Sequence, residues 1–302
     1  MMDVAVAGSL HLDIMVAAPR LPARDETLMG KAWHMKCGGK GGNQAVAAAR
    51  FGASTAMGGQ TGADDFGARL RANLEAAGVD ISHLDTDPAA GSGMSVAITE
   101  AAGEYGAVVV SGANLTIRTD GLAQRWRGLW AAKVLLLQNE VPDAVNLAAA
   151  RAAKAHGARV ILNAAPARPL AHALMELVDI LVVNRLEAAM LSDTATPEDA
   201  RAALASPVRD VVLTLGGDGL MAMTRDGRRF DLPALPVRLL SSHGAGDCFC
   251  GALAARLASG EPLEAACRFA STAAGLFVST PEADQPRLDR AAVERAMGLR
   301  QT

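Results

Sequence analysis

Short apolar runs alternate with longer Ala-rich segments along most of the chain. The runs are apolar at nearly every position, which predicts strands buried on both faces; they lie at 4–7, 134–137, 159–162, 180–183 and 211–214. The longer segments carry apolar residues at helical spacing, and they lie at 42–51, 66–77, 144–155, 170–178 and 246–259. This alternation predicts an α/β fold with three layers, in which helices flank a central, mostly parallel sheet.

Two segments, near 10–36 and 93–110, do not follow this pattern. The second alternates between apolar and polar positions, and Gly103-Glu104 within it has the character of a hairpin turn. We expect these segments to form a small β lid over one end of the sheet. Because the sequence shows no repeat, low-complexity tract or linker, we expect one domain over residues 1–302.

Composition excludes several classes of function. Half of the 302 residues are hydrophobic and 20% are charged, which is typical of a globular protein, whereas aromatic residues reach only 3%. The net charge is −3 and no basic run is present, so nucleic acid and anionic membrane surfaces are not expected partners. The start is unlike a signal peptide, and no apolar stretch approaches the ~18 residues of a membrane span. We therefore expect a cytoplasmic protein.

Cysteine and histidine spacing disfavours a zinc enzyme. The four cysteines, at 37, 248, 250 and 267, form no C-x-x-C pair, and the six histidines form no H-x-x-x-H pair. Buried, reduced thiols are the expectation for the cysteines.

Polar and glycine residues follow several of the predicted strands. An apolar run precedes each of four segments, which are Asn139-Glu140 (after Gln138), Asn163, Asn184–Glu187 and Leu215–Gly219. Ligands of open α/β sheets bind beyond the carboxyl ends of the strands. These residues therefore predict the rim of an active site.

The run His243-Gly244-Ala245-Gly246-Asp247 opens a predicted helix. Small residues there let backbone amides approach an anion, and the helix dipole favours negative charge. The Asp247 carboxylate is placed to take a proton from an attacking hydroxyl. An ordinary turn with Asp247 as a helix cap explains the same residues equally well.

Two further signals carry alternatives of the same kind. The segment Gly38–Gln44 reads Gly-Gly-Lys-Gly-Gly-Asn-Gln, which matches neither a Walker A loop nor G-x-G-x-x-G. It suits close contact with hydroxyls or phosphate, but also a flexible loop before a helix. Asn184 and Glu187 suit Mg²⁺ bound through water, but also a helix cap with an acid in the first turn.

Taken together, six elements in order resemble the ribokinase-like (PfkB-type) carbohydrate kinase family over nearly the whole chain. They are Gly8–Asp13, Gly38–Ala45, Asn163–Arg168, Asn184–Glu187, Thr214–Gly219 and Ser241–Asp247, the last corresponding to the family's D-T-x-G-A-G-D signature. The resemblance implies an ATP-dependent sugar kinase that phosphorylates a hydroxymethyl group, with ribose or a similar pentose as the first candidate.

The resemblance also implies a role for individual residues. Asp247 would be the catalytic base, and the amides of Gly244, Ala245 and Gly246 would hold the transferring phosphoryl group. The sugar would be bound by Asp13, Gly39, Lys40, Asn43 and Glu140. The nucleotide would lie along Asn184, Thr214, Gly216 and Gly219, with Glu187 serving Mg²⁺. A lid of this kind closes over substrate and often mediates a homodimer, which we expect here too.

Two departures from the family bear on cations. The second signature usually begins with an aspartate that helps to bind an activating monovalent cation, and Ser241 stands in that place. The stretch Ser279–Pro286 also departs from the glycine-containing loop expected beside that cation. Both changes weaken the prediction of K⁺ dependence. His243, in the variable place of the signature, has two interpretations, an effect on the nucleotide site or a surface residue, and we favour the second.

Three alternative functions remain at this stage. A nucleoside kinase of the same family, of the pseudouridine kinase type, shares the Asn184–Glu187 and Gly216–Gly219 elements, but Gly38–Gln44 argues against it. The only tyrosine, Tyr105, falls in a predicted turn and gives no clear platform for a base. A non-catalytic sugar sensor would have no need of Asp247. A dinucleotide-dependent oxidoreductase is disfavoured because no G-x-G-x-x-G follows the first strand.

Overall fold

The computed structural model describes residues 2–100, 105–206 and 209–298, with Tyr105 described in its backbone only. In chain order, its first strands and helices are β1 Val4–Ala7, β2 His11–Ala17, β3 Ala32–Gly38, α1 Lys40–Arg50, β4 Thr55–Gly62, α2 Asp65–Ala76, β5 Asp80–Asp87, β6 Gly93–Thr99, β7 Tyr105–Val110 and α3 Leu122–Arg125. They are followed by β8 Val134–Gln138, α4 Asp143–Ala155, β9 Arg159–Asn163, α5 His172–Met175, β10 Ile180–Asn184, α6 Arg185–Ser192, α7 Pro197–Leu204, β11 Asp210–Thr214, β12 Leu220–Met223, β13 Arg229–Leu232, α8 Ala245–Ala258, α9 Leu263–Ser279 and α10 Arg290–Gly298.

Nine of the described strands form a large sheet in the order β13-β12-β11-β10-β9-β8-β1-β4-β5. The strands from β11 to β5 pair in parallel, and β12 and β13 extend the sheet with antiparallel pairing. The first strand of the chain therefore lies inside the sheet, between β4 and β8, and all four of its residues are fully buried.

Side chains of the large sheet alternate between two apolar cores. Val4 and Val6 of β1 face a core shared with α1, α8 and α9, whereas Ala5 and Ala7 face a core shared with α3 and α4. Because both faces of the central strands are covered by helices, β1, β8, β9, β10 and β11 are apolar at nearly every position. The three-layer α/β fold predicted from the sequence is confirmed.

Four other described strands form a separate small sheet in the order β3-β2-β6-β7. It is built from the two segments that the sequence singled out, with β2 parallel to β6 and both outer pairs antiparallel. Its polypeptide leaves β1 through Gly8–Leu10 and returns through Gly38 to α1, so the small sheet stands directly above the start of α1.

Several local predictions need correction. The helix predicted over 170–178 forms only at His172–Met175, and Tyr105 begins β7 where a turn was expected. The turn predicted at Gly103-Glu104 lies outside the described residues.

The four cysteines are free, and those on α8 and α9 are buried. None of the described helices is both long enough and apolar enough to cross a membrane.

Candidate active site

Two helices bring together residues that lie 200 positions apart in the sequence. α1 packs closely against α8, and a Cβ built on Gly251 of α8 would lie 2.5 Å from the Cβ of Ala47. This approach places the first turn of α8, which carries Asp247, against Asn43 and Gln44 in the first turns of α1. The segment Gly38–Gln44 and the segment His243–Asp247 therefore form one site.

The glycines of Gly38–Gln44 are required by close packing. Helix α1 begins at Lys40, with Gly39 as its N-cap at φ 81°, a left-handed value that favours glycine. A Cβ on Gly41 would lie 2.6 Å from the Ser9 backbone nitrogen, and a Cβ on Gly38 would lie 2.1 Å from Asp13 Oδ2. The segment is thus the beginning of a helix pressed against the turn after β1, and the alternative of a flexible loop is set aside.

Asp247 is a buried carboxylate with amide donors on both oxygens. Asn43 Nδ2 donates to Oδ2 and Gln44 Nε2 donates to Oδ1, each at 3.0 Å. Burial raises the pKa of Asp247 above its usual value, while Lys40 and the two amides act in the opposite direction. A buried carboxyl group with a raised pKa, held by two donors and beside a cationic group, suits a general base.

Lys40 lies among three carboxylates. Burial lowers its pKa, but the charges of Asp247, Glu140 and Glu187 outweigh burial, so the net shift is upward. The ammonium group therefore stays charged, and it brings positive charge to the space between the two helices and the strand ends.

Glu140 follows β8 and holds the turn after β1 against the start of α1. Its Oε2 accepts hydrogen bonds from the Ser9 hydroxyl at 2.5 Å and from the Lys40 backbone amide at 2.8 Å. His11 Nδ1 lies 3.7 Å from the same oxygen. Glu140 and Lys40, both predicted for sugar binding, are thus neighbours.

Asp13 lies on β2 in the small sheet. Its Oδ1 accepts a hydrogen bond from the Ser95 hydroxyl of β6 at 2.5 Å. The Gly38 main chain packs against its other oxygen, because only glycine leaves room there. Asp13 is therefore the one predicted sugar ligand that the small sheet contributes, and the others belong to α1 and the end of β8.

The amides predicted for the phosphoryl group lie at the start of α8. Gly244 is the N-cap of the helix at φ 80°, and no neighbouring group of the described residues lies within 4 Å of a Cβ built on Gly246. The Ala245 amide has an acceptor already, since it donates to Ser242 O at 3.3 Å. A cavity of about 180 Å³ borders this turn and is lined in part by Asn43, Gly244 and Asp247.

Asn184 and Glu187 form a complete capping box at the start of α6. Glu187 N donates to Asn184 Oδ1 at 3.0 Å, and the Glu187 carboxylate accepts from Asn184 N and Nδ2, both at 2.8 Å. Burial raises the pKa of Glu187, against these hydrogen bonds and the charge of Lys40. The capping alternative is therefore realised. Each carboxylate oxygen still has a second lone pair, so it can accept a hydrogen bond from water on a metal ion.

The loop after β11 is more open. Thr214 Oγ1 donates to Val183 O at 3.3 Å, and Leu215 N donates to Gly219 O at 2.8 Å to close the turn. A Cβ on Gly219 would lie 2.0 Å from Leu232 O, so this glycine is needed for packing against β13. Around Gly216, by contrast, a built Cβ has no atom within 4 Å from the part of the chain that the structure describes, apart from Gly216 and its two neighbours.

The segment before α8 is held to the end of α9. Ser241 Oγ accepts a hydrogen bond from His243 N at 3.3 Å, and Leu240 N donates to Val278 O at 2.9 Å. The buried Gln285 side chain donates from Nε2 to Phe277 O at 3.3 Å and to Thr280 O at 3.5 Å.

Sequence reasoning gave no individual role to Ser9 and Gln44 and placed Asn163 only at the predicted rim, but all three belong to the hydrogen-bond network of the site. Ser9 binds Glu140, and Gln44 binds both Asp247 and Asn163 Oδ1, the latter at 3.1 Å. Gln44 and Asn163 both lie in elements that resemble the family, Gly38–Ala45 and Asn163–Arg168. An amide next to Asn43 on a buried helical turn was a signal that could have identified Gln44.

Comparison with known proteins agrees with this geometry. Residues 1–290 match the pfkB family carbohydrate kinases. The chain is 34% identical to a ribokinase of Bacillus subtilis over 278 residues, covering 92% of this chain and 93% of the relative. It is also 31% identical to a deoxyribokinase of Salmonella typhi over 300 residues, covering 94% and 97%.

Solved structures show the same fold. Arabidopsis thaliana ribokinase complexed with ribose and ATP has a TM-score of 0.88 at 29% identity, covering 97% of this chain and 98% of that one. Thermotoga maritima ribokinase has a TM-score of 0.89 at 27% identity, covering 99% and 100%. The resemblance and the enzyme class predicted from the sequence, a phosphotransferase acting on a sugar hydroxyl, are confirmed. The chain belongs to the pfkB family of carbohydrate kinases.

Proposed function

We propose that the protein transfers the γ-phosphate of ATP to the hydroxymethyl group of a pentose, with ribose as the first substrate to test. The ribokinase relatives support ribose, and the deoxyribokinase relative supports 2-deoxyribose as the second candidate. The observation that carries the proposal is the pairing of Asp247 with an open helix N-terminus. The carboxylate lies one residue after Gly246, beside space that a phosphoryl group could enter.

In the proposed reaction Asp247 takes the proton of the substrate hydroxyl as its oxygen attacks the γ-phosphorus. The new O–P bond forms while the bond from the γ-phosphorus to the β,γ-bridging oxygen breaks, and ADP leaves with the bonding electrons. The amides of Gly244, Ala245 and Gly246 and the dipole of α8 stabilise the charge on the transferring group. For Ala245 this requires the amide to exchange its long hydrogen bond to Ser242 O for the phosphoryl oxygen.

The sugar lies between the small sheet and the start of α1. Asp13 and Glu140 accept hydrogen bonds from its hydroxyls, and Lys40, Asn43 and the Gly39 main chain complete the site. The small sheet acts as a lid: Asp13 approaches the sugar from above, and closure excludes water that would otherwise hydrolyse ATP.

The nucleotide lies along Asn184, Thr214, Gly216 and the turn closed by Gly219. Asn184 and Glu187 are the residues that would hold the Mg²⁺ of MgATP, with Glu187 acting through water because its carboxylate also caps α6. When bound, that ion supplies positive charge that offsets the charge of the β- and γ-phosphates.

The test is ADP release from MgATP with ribose, 2-deoxyribose, hexoses and nucleosides. Phosphorylation of ribose with the highest kcat/KM is the expected result. Preference for 2-deoxyribose would move the assignment to that pentose, and activity with nucleosides alone would replace it with the nucleoside kinase alternative. No turnover with any of them would contradict the proposed function.

We further propose that turnover does not require K⁺. The hydroxyl of Ser241 brings no charge to the place where the family has an aspartate, and the Gln285 amide donates to the Phe277 and Thr280 carbonyls. An uncharged donor thus satisfies two main-chain oxygens beside the segment that leads to α8. Equal kcat in K⁺ and in tetramethylammonium buffers is expected, and a several-fold activation by K⁺ would contradict this point.

We propose that two copies pair through the small sheet. The edge strand β7 exposes Val108, Val109 and Val110 by 68%, 58% and 51%, and Trp33 on β3 is 64% exposed. An exposed apolar edge strand is a template for pairing with another chain. Sedimentation should give a dimer, and Val108→Glu with Val110→Glu should give a monomer; a monomeric unmodified protein would contradict the pairing.

A further inference from the structure

The carboxylate of Asp247 is held by α1 at both of its oxygens. Asn43 binds one oxygen and Gln44 binds the other, each through a side-chain amide at 3.0 Å. Two donors in these positions fix the plane of the carboxylate as well as its location. Asn43 borders the cavity beside Asp247, whereas Gln44 is completely buried behind it and is not placed to contact a substrate.

Gln44 is in turn fixed by the sheet. Its Nε2 also donates to Asn163 Oδ1 at the end of β9, and Asn163 Nδ2 donates to Val182 O of β10 at 3.5 Å. Turning the Gln44 amide over would bring its oxygen against two acceptors, Asp247 Oδ1 and Asn163 Oδ1, so one orientation is favoured. A chain of hydrogen bonds therefore runs from the backbone of β10 to the base.

We propose that Gln44 is a positioning residue for Asp247, and that Asn163 holds Gln44 in the orientation in which its N–H bonds point at the carboxylate. Gln44 favours the ionised form of Asp247 and directs the free lone pairs of the carboxylate toward the sugar. This inference rests on the proposed function, because it takes Asp247 to be the base.

The charged and titratable groups around Asp247 define what Gln44 adds. Lys40 from α1 favours the ionised carboxylate, Glu140 beyond β8 disfavours it, and Cys248 and Cys250 of α8 are neutral thiols whose pKa values burial raises. Loss of the Gln44 donor leaves burial and Glu140 opposed by Lys40 and Asn43 alone. The pKa of Asp247 then rises, and protonation at higher pH removes the base.

The test is the pH dependence of kcat/KM in Gln44→Met, which keeps the side-chain volume and removes the donor. The acidic limb should move upward by about 1 pH unit, and kcat/KM on the plateau should fall roughly tenfold, since a hydrogen bond to a charged group is lost. Asn163→Leu should move the limb in the same direction by less, because Gln44 remains but is no longer held.

Gln60→Met is the matched control. Gln60 is also a buried glutamine, and its Nε2 donates to Ala113 O at 3.1 Å and Thr116 Oγ1 at 2.6 Å, but it lies on β4. Gln60→Met should lower the melting temperature as much as Gln44→Met does, and it should leave the pH dependence of kcat/KM unchanged.

The outcomes separate this inference from the proposed function. If Asp247→Ala keeps turnover, the base assignment fails and the inference fails with it. If Asp247→Ala is inactive and the limb of Gln44→Met does not move, the positioning role is overturned while the proposed function stands. Should Gln44→Met not fold, the Asn163→Leu profile decides, and an unmoved limb there overturns the inference.

Discussion

The glycines at the start of α1 and two glycines of the proposed ATP site, Gly217 and Gly246, meet opposite surroundings. At Gly41 an added Cβ would collide with the main chain of Ser9, whereas at Gly246 and Gly217 it would meet no neighbouring group within 4 Å among the residues that the structure describes. At Gly41 the lack of a side chain permits close packing between two parts of the protein. At Gly246 and Gly217 the lack of a side chain leaves space that the protein does not fill.

This difference divides the site into a closed side and an open side. The closed side, made by α1, the end of β8 and Asp247, is already assembled by hydrogen bonds within the protein. The open side, made by the start of α8 and the loop after β11, offers backbone and space. In the proposed reaction the closed side is therefore arranged in advance, and the open side is completed by the nucleotide.

Removing the base on the closed side should have the largest effect. Asp247→Ala is expected to lower kcat by a factor of ~10² or more with little change in sugar binding, measured by steady-state kinetics and calorimetry. Asp210→Ala is the control, because Asp210 is equally buried but binds Arg225 N at the far end of β11. Comparable turnover in Asp247→Ala and Asp210→Ala would contradict the base assignment.

Filling the closed side should cost stability. Gly41→Ala is expected to lower the free energy of unfolding by roughly 1–3 kcal/mol, because the Cβ meets main-chain atoms that cannot move aside. Urea unfolding followed by circular dichroism measures this. An unchanged midpoint would mean that α1 and the turn after β1 separate more easily than their packing indicates.

Filling the open side should do the reverse. Gly246→Ala is expected to gain up to about 1 kcal/mol of stability, since alanine is the better helix former. It should also lose activity by roughly tenfold, since the methyl group occupies space proposed for the phosphoryl group. Gly217→Ala is the control and should change stability by less than about 0.5 kcal/mol. A stable and fully active Gly246→Ala would contradict the proposed position of the phosphoryl group beside Gly246.

Neutralising Glu187 should have the smallest effect on the fold. Glu187→Gln keeps a residue that suits a capping box, so the melting temperature should change little, while the Mg²⁺ needed for half-maximal rate should rise about tenfold. Asp199→Asn is the control. Asp199 lies three residues after Thr196, the N-cap of α7, as Glu187 lies three residues after Asn184, and this variant should leave the Mg²⁺ dependence unchanged. An unchanged Mg²⁺ dependence in Glu187→Gln would leave Glu187 as a helix cap alone.

The strands of the large sheet differ in how far the sequence predicted them. Strands β8, β10 and β11 are apolar at nearly every position, so they were recognised together with the polar residues that follow them. Strand β4 was missed because its glycines and Gln60 have weak strand propensity. Its burial comes from tertiary contacts, with Gly58 making room for Trp126 and Leu129.

The sequence did not predict contacts between residues that are far apart in the chain. Asp247 was predicted as the base from its own helix, but its bond to Gln44 joins residues 203 positions apart, and no local pattern specifies that distance. The same holds for Glu140, whose neighbours Ser9 and Lys40 come from the first sixth of the chain. Motifs identified the participants, and only the packing of α1 on α8 specified their partners.

The central place of β1 has a consequence for synthesis on the ribosome. One edge of β1 pairs with β4, which follows soon after, but the other pairs with Val134–Leu137, more than a hundred residues later. A nascent chain that ends before β8 therefore carries a fully apolar strand with one edge unpaired. Such intermediates are prone to aggregate, so truncated forms of this protein that stop before residue 134 should require a chaperone to stay in solution.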